Sequence, residues 1–164
     1  ALDAGADIIN DISPETSGIP ELVAARRVPY IFMHMRGTPA DMASLNEYND
    51  VTREVLYYLA EKVKEFRALG ITDLMADPGF GFAKSISQNF EMLHKAEVFR
   101  LLDVPILLGL SRKSMIYKSL QITAEEALNG STVLHTIALR KLPALLRVHD
   151  VAEADQVMEL LKKV

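Results

Sequence analysis

The chain has 164 residues, long enough for one domain that buries roughly 70% of its unfolded surface. Apolar residues make up 49% and charged residues 24%, and a net charge of −4 with interspersed signs argues against a general nucleic-acid binder. The sequence has no cysteine, which excludes disulfides, thiolate metal sites and cysteine nucleophiles, and it has no apolar run of about 18 residues that would predict a membrane span.

Short apolar segments alternate with longer amphipathic ones along the chain. Residues 1–4 resemble the end of a helix closed by Gly5, so we expect a longer protein whose preceding part is absent from this sequence. The predicted strands are short and mostly apolar, which is typical of parallel strands covered on both faces. They are residues 7–10, 29–34, 73–76, 104–108 and 144–148.

Helical spacing of apolar residues predicts five helices between and after these strands, at residues 19–26, 50–69, 87–102, 123–142 and 150–163. Gly70 is the expected stop of the second helix. Thr123 and Glu126 have the spacing of a capping box, and Asp150 is the expected N-cap of the last helix.

Five strand-then-helix units predict an α/β fold with a parallel sheet and right-handed crossovers in a single domain. A (β/α)8 barrel uses roughly 31 residues per unit, so 164 residues hold about five of its units. Five units also make a complete flavodoxin-like sheet. The periodicity leaves both architectures open.

Polar side chains lie at the end of every predicted strand or directly after it, where both architectures place their sites. These residues are Asn10, Asp11, His34, Arg36, Asp77, Ser111, Arg112, Lys113, Ser114, Arg147, His149 and Asp150. Lys113, Arg147 and His149 supply cationic donors suited to phosphate or pyrophosphate. The sequence therefore predicts an anion site at this rim.

The same rim carries groups suited to a flat heterocycle. Asp77 and Asn10 offer acceptors for a guanidine-like edge with two adjacent N–H groups, and Phe82 and Met33 offer faces for a ring. A planar, nitrogen-rich, phosphorylated ligand is the resulting hypothesis. The segment DPGFGFAK at residues 77–84 is not a P-loop, because proline and alanine stand where that motif requires glycine.

Simpler structural roles are open for most of these residues. Asn10 and Asp11 could form an Asx-turn, and Asp150 could act only as a cap. His34 is better explained as structural than as catalytic, because it has no metal-ligand partner at a recognisable spacing. The remaining polar helix residues are interpreted as a surface histidine, a packing histidine and two helix-start carboxylates: His94, His135, Glu125 and Glu126.

Six motifs, in this order, resemble dihydropteroate synthase: IINDIS (8–13), MHMRGTP (33–39), DPGFGFAK (77–84), LLGLSRKSMI (107–116), ALNGSTVLHTIAL (127–139) and LRVHDV (146–151). The resemblance implies a TIM (β/α)8 barrel of which residues 1–164 form a partial pterin-binding domain, strands four to eight. Two departures from the family pattern are Ala83, where a glycine is frequent, and the Ser13-Pro14-Glu15 stretch.

The family's functional residues carry over onto matching positions as implied roles. The pterin contacts would be Asn10, Ile12, Met33, Asp77, Phe82, Gly109, Lys113 and Arg147. The pyrophosphate would be held by Asn10, Arg147 and His149, and p-aminobenzoate would be bordered by Phe82, Arg112, Lys113 and Ser114. Lys113, Arg147 and His149 would be the catalytic residues.

The implied reaction is the folate-pathway condensation of 6-hydroxymethyl-7,8-dihydropterin pyrophosphate with p-aminobenzoate. The resemblance further implies Mg2+ with a ligand outside this sequence, a cytoplasmic homodimer and a sulfonamide target, without nucleic-acid or membrane partners. Two other interpretations are a pterin-binding barrel of the methyltetrahydrofolate methyltransferase type and an inactive fragment.

Overall fold

The computed structural model describes residues 1–13, 18–37 and 45–164. The strands are β1 (Ile9–Asp11), β2 (Tyr30–Met33), β3 (Leu74–Asp77), β4 (Leu107–Leu108) and β5 (Leu145–Leu146). The α-helices are α1 (Ile19–Arg26), α2 (Val51–Ala68), α3 (Ile86–His94), α4 (Ser114–Leu120), α5 (Leu128–Lys141) and α6 (Val151–Leu161). Short 3-10 helices occupy Leu2–Ala4, Ala96–Leu102 and Glu125–Ala127.

All five strands are parallel and follow one another in chain order across the array. β1, β2 and β3 form one sheet, β4 and β5 form a second, and a bridge between Ala76 and Ile106 connects the two. A flavodoxin-like sheet would instead reverse direction after its first strand, with the order 2-1-3-4-5. The structure is therefore α/β with sequential parallel strands, and the flavodoxin-like alternative is wrong.

The strand array is curved. Strands lie about 4.8 Å apart, so in a flat sheet β1 and β5 would be roughly 19 Å apart, beyond the reach of one side-chain pair. Yet Arg147, just after β5, donates a 2.8 Å hydrogen bond from Nη1 to Oδ1 of Asn10 in β1. The array must bend to bring its two outer strands together at their carboxyl ends.

The pairing register separates two faces of this curved array. Asp11, Phe32 and Ala76 are partners across β1, β2 and β3, and their side chains point to the convex, helix-covered face. There the ring of Phe66 from α2 lies edge-on against Tyr30 and Phe32, with ring centroids 5.2 and 5.1 Å away. Neighbouring residues such as Asn10 point to the opposite, concave face.

The two outer strands differ from the prediction that strands are covered on both faces. β2 is buried throughout, but Ile8 beside β1 and Leu145 in β5 are 53% and 52% exposed. These residues point to the concave side of the outermost strands, where no further strand among the described residues pairs with them. The prediction holds for the centre of the array and is wrong at its margins.

Two predicted helices are shorter than expected and one helix was not predicted. α3 ends at His94 and continues as the 3-10 segment Ala96–Leu102, because Lys95 between them leaves helical geometry. The predicted helix at 123–142 keeps its Thr123–Glu126 capping box but becomes regular only at Leu128. α4 spans only seven residues, too few to reveal a helical period.

The long helix α2 agrees with its prediction. Its N-cap Asp50 accepts a 3.0 Å hydrogen bond from the Arg53 amide, and Gly70 follows its last turn with a φ of 87°. No helix within the described ranges is both long enough and apolar enough to cross a membrane.

Replacement of Phe66 by alanine tests the convex core. Phe66 is fully buried, so Phe66→Ala should lower the free energy of unfolding by about 3–5 kcal/mol in a denaturant titration. Tyr57 on the same helix is 63% exposed, and Tyr57→Ala should stay within about 0.5 kcal/mol of the parent. Equal losses for the two variants would contradict this packing.

Candidate active site

Arg147 connects the carboxyl ends of three strands. Its Nη1 donates to Asn10 Oδ1 at 2.8 Å, and its Nη2 donates to Asp77 Oδ2 at 3.0 Å. One planar guanidinium therefore satisfies an amide oxygen and a carboxylate oxygen that are 67 positions apart in the chain. The Asp77 side chain is 1% exposed and that of Arg147 40%, so the ion pair lies at the mouth of the concave face.

A glycine directly after the neighbouring strand leaves room for this guanidinium. Gly109 follows β4, and a Cβ atom placed there would lie 2.8 Å from Arg147 Nη2. Any other residue would push the arginine away from Asp77. Gly109, predicted as part of the ligand site, therefore contributes space beside Arg147.

Asp77 is held from a second side by its own loop. Its Oδ1 accepts a 2.8 Å hydrogen bond from the Gly79 amide, and Gly79 has a φ of 70° that favours glycine. A Cβ atom at Gly79 would also lie 2.0 Å from the His34 carbonyl oxygen. Burial raises the pKa of Asp77, and the Gly79 amide, Arg147 and Lys113 act in the opposite direction.

Lys113 reaches the same mouth from the N-terminus of α4. Its ammonium donates to the Phe80 carbonyl and lies 4.5 Å from the centroid of the Phe82 ring. Burial lowers the pKa of Lys113 to about 8, while Asp77 raises it and Arg147 lowers it. The structure thus brings the cations Lys113 and Arg147 together around Asp77.

His149 lies two residues beyond Arg147 in the chain and is held by Ser111. The Ser111 hydroxyl accepts a 3.2 Å hydrogen bond from the His149 amide and lies 3.0 Å from His149 Nδ1. Ser111 is buried, whereas His149 is exposed. Ser111 thereby fixes the backbone and the Nδ1 atom of His149, a role that the sequence had not assigned to it.

Arg112 has a different environment from the one predicted. Its guanidinium forms two hydrogen bonds of 2.9 and 2.8 Å to Asp150 and also donates to the carbonyls of Ala124 and Glu125. Asp150 occupies the N-cap position of α6, as predicted, but its side chain makes no capping bond. A carboxylate that pairs with Arg112 cannot also turn towards the helix amides.

Four other predicted contacts differ in exposure. Ile12 is 38% exposed, and Ser114, the first residue of α4, is half-buried. Met33 is fully buried and presents no surface at the mouth, so contact with a ligand would require its side chain to move. Phe82 is half-buried.

The structural roles suggested for several polar residues are confirmed. Asp11 accepts a 2.9 Å hydrogen bond from the Ser13 amide, which is the Asx-turn. His94 is exposed at the end of α3, and His135 is buried within α5. Residues 14–15 of the Ser13-Pro14-Glu15 stretch and residues 38–39 of the MHMRGTP motif lie outside the described ranges.

A sizeable cavity lies apart from this rim. Its volume is about 480 Å³, and it is found at the opposite end of β3, lined by residues that include Arg27 and Asp73, far from the polar group around Asp77. Across the described ranges, no group of three or more His, Asp or Glu side chains could hold a metal ion. The polar rim around Asp77, where the charges of Arg147 and Lys113 meet, is the candidate site.

Residues 1–149 match the family of pterin-binding enzymes, and the chain belongs to this family. Within the family, its relatives include the dihydropteroate synthase of Escherichia coli, which is 38% identical over 161 residues. That alignment covers 96% of this chain and 57% of the relative, so the chain spans a little over half the length of the curated protein.

Solved structures that are similar to this chain are also dihydropteroate synthases. Dihydropteroate synthase from Thermus thermophilus in complex with 4-aminobenzoate is 31% identical, with a TM-score of 0.94, covering 99% of this chain and 68% of that one. The Xanthomonas albilineans enzyme with 4-aminobenzoic acid is 36% identical, with a TM-score of 0.90 and coverage of 99% and 59%. The resemblance inferred from the motifs is confirmed.

The loop after β3 contains a residue whose backbone favours glycine. Ala83 is buried with a φ of 49°, a left-handed conformation that costs about 1–2 kcal/mol for a non-glycine residue. In Ala83→Gly, relief of this strain should offset the lost methyl burial and the added entropy of the unfolded chain. Chemical denaturation should show a change within about 0.5 kcal/mol.

The control for this substitution is Ala60→Gly, at an exposed position inside α2, which should cost about 1 kcal/mol. A buried alanine would then tolerate glycine better than an exposed one. If Ala83→Gly is more destabilising than Ala60→Gly, the left-handed backbone conformation of Ala83 is contradicted.

The pKa of Lys113 predicts its reactivity. Because this pKa is lowered to about 8, its neutral amine should predominate above that pH, whereas an ordinary lysine with a pKa of about 10.4 remains mostly protonated. In acetylation followed by peptide mass spectrometry, the ratio of labelling at Lys113 to labelling at exposed Lys64 should fall between pH 8 and pH 10. A ratio that rises with pH would contradict the expected pKa.

Proposed function

We propose that this chain carries the pterin and pyrophosphate parts of a dihydropteroate synthase active site. The reaction would join 6-hydroxymethyl-7,8-dihydropterin pyrophosphate to p-aminobenzoate. The bond between the pterin methylene carbon and the pyrophosphate oxygen breaks, a carbon–nitrogen bond forms with the arylamine, and that nitrogen loses a proton. 7,8-Dihydropteroate and pyrophosphate are the products.

One observation carries the proposal: Asn10 and Asp77 accept hydrogen bonds from the same guanidinium group. Their oxygens are therefore spaced and oriented for a planar group with adjacent N–H donors. The amino-pyrimidine edge of a pterin has this donor pattern. We propose that the pterin edge replaces Arg147 as the hydrogen-bond donor to Asp77, while Phe82 and the Lys113 side chain border the ring.

The cations at the mouth suit the other end of the substrate. When the pterin edge pairs with Asp77, the guanidinium of Arg147 can turn its remaining N–H groups to the pyrophosphate. His149, held by Ser111, would contribute a second donor. Together they would stabilise the charge that develops on the leaving group, which is the usual source of catalysis in such displacements.

The p-aminobenzoate side is proposed to lie along Phe82, Lys113 and Ser114. Arg112 would contribute through its backbone and by fixing the loop, since its guanidinium pairs with Asp150. Solved dihydropteroate synthases similar to this chain are described with 4-aminobenzoate and with a sulfonamide drug complex. The same ligands are the probes for this chain.

The finer architecture also belongs to the proposal. Sequential parallel strands and the contact between β1 and β5 support five βα units, strands four to eight, of a (β/α)8 barrel. The proposal also includes a Mg2+ ion whose protein ligand lies outside these residues, a homodimer and a cytoplasmic location.

Matched substitutions test the two ends of the ligand separately. Asp77→Asn should weaken binding of both 6-hydroxymethyl-7,8-dihydropterin and its pyrophosphate by roughly 10–100-fold, because a hydrogen bond to a charged group is lost. Arg147→Gln should weaken the pyrophosphate compound more than the alcohol, since the alcohol offers no anion. Isothermal titration calorimetry measures both, with exposed Arg140→Gln as the control.

Unchanged pterin affinity in Asp77→Asn would refute the assigned role of this carboxylate. The methyltetrahydrofolate alternative is separated by thermal unfolding, because only the ligand that binds the folded state raises the melting temperature. Protection by methyltetrahydrofolate without protection by pyrophosphate would favour that alternative.

A further inference from the structure

Lys84 is a buried cation that the sequence had left without a role. It is 9% exposed, and its ammonium donates to the Gly79 and Phe82 carbonyls, both at 2.9 Å. Its third neighbour is His34 Nδ1, at 3.0 Å. All three N–H donors of the ammonium therefore have a partner, and two of the three partners are carbonyls of the loop that follows β3.

The charge of Lys84 is not matched by a direct carboxylate partner. None of the ion pairs among the described residues includes Lys84. Burial lowers the pKa of Lys84 to about 7, while Asp77 raises it. A buried ammonium is costly unless polar groups surround it. The three acceptors around Lys84 provide this environment, so the loop conformation and the position of the ammonium depend on each other.

His34 is suited to be a permanent acceptor for this ammonium. It is 3% exposed and its ring lies edge-on to Tyr58, with centroids 4.8 Å apart. Burial and the nearby Lys84 and Arg36 charges lower its pKa to about 2. Because Nδ1 faces a donor, the proton of the neutral ring must lie on Nε2.

The loop held by Lys84 also shapes the ligand site. Between the two carbonyls bound to Lys84, the Phe80 carbonyl points the other way and accepts from Lys113. The Phe82 ring then lies against the Lys113 ammonium, and the Gly81 amide is held by Asn89 at 2.7 Å. The loop thus lies between two lysines, one on its buried side and one at the mouth.

We propose that Lys84 is a positioning residue: by binding the Gly79 and Phe82 carbonyls against His34, it fixes the Phe82 ring and the Lys113 ammonium at the ligand site. Without its ammonium, two carbonyls would lose their buried donor and the loop would change conformation. The effect on ligands rests on the proposed function, whereas the effect on the loop does not.

The first test compares Lys84→Met with Lys64→Met. Lys84→Met keeps most of the side-chain volume without the donors, and Lys64 is an exposed lysine on α2. With folding checked by circular dichroism, Lys84→Met should speed hydrogen exchange of the Gly81 and Phe82 amides at least tenfold. It should also weaken 6-hydroxymethyl-7,8-dihydropterin binding about tenfold or more, and Lys64→Met should change neither.

A pair of substitutions at His34 separates the acceptor from simple packing. In His34→Asn the side-chain oxygen can replace Nδ1 as acceptor but the ring volume is lost, whereas His34→Leu keeps the volume and removes the acceptor. Loop protection and pterin affinity should follow the acceptor, so the asparagine variant should be closer to the parent. If the leucine variant is closer, the ring acts only in packing and the proposal is wrong.

Nitrogen NMR of the unsubstituted chain provides a test that does not depend on variants folding. The His34 ring should show a proton on Nε2 and none on Nδ1; the opposite tautomer would overturn the proposed contact. If the parent chain binds no pterin while Lys84→Met still loosens the loop, the proposed function fails and the loop role stands. If the loop amides stay protected in Lys84→Met, the positioning role fails regardless of binding.

Discussion

The buried carboxylate of Asp77 sets the main constraint on this structure. An ionised carboxylate with a 1% exposed side chain costs several kcal/mol unless charge and hydrogen bonds compensate it. Arg147 and the Gly79 amide provide that compensation, and each contact imposes a further requirement on the chain. The position of Arg147 requires that residue 109 has no side chain and that the array curves to bring β5 near β1. The amide of Gly79 reaches Asp77 only through a left-handed backbone turn.

The basic residues near the rim divide into two groups according to their partners. Arg112 and Lys84 are engaged mainly with protein groups: Arg112 with Asp150 and two carbonyls, and Lys84 with His34 and two carbonyls. Lys113 and Arg147 also bind protein groups, but these contacts lie at the mouth where the Asp77 side chain ends. Residue type therefore does not distinguish structural cations from ligand-binding ones. The distinction depends on the direction in which the local backbone points each side chain.

This division explains how far sequence reasoning could go. Apolar runs followed by polar residues located the strands and the rim, because the carboxyl ends of parallel strands meet at one edge. The pairing of Arg112 with Asp150 joins residues 38 positions apart and has no local signature, so the sequence predicts only the N-cap position of Asp150 and not its ion pair. The burial of Met33 and the exposure of Leu145 depend on neighbouring strands, which a periodic pattern within one segment cannot report.

The contacts of Arg147 also imply a link between the two ends of the proposed substrate. The guanidinium and a pterin edge present the same kind of donor to Asp77, so they compete for its outer oxygen. A pterin that displaces Arg147 from Asp77 would still donate hydrogen bonds to the buried carboxylate. It would also free N–H groups of Arg147 to bind an anion. Binding of the ring would thereby prepare the site for the pyrophosphate, because one arginine cannot direct the same N–H groups to both partners. This coupling follows from the shared geometry of Asn10, Asp77 and Arg147 rather than from any single residue among them.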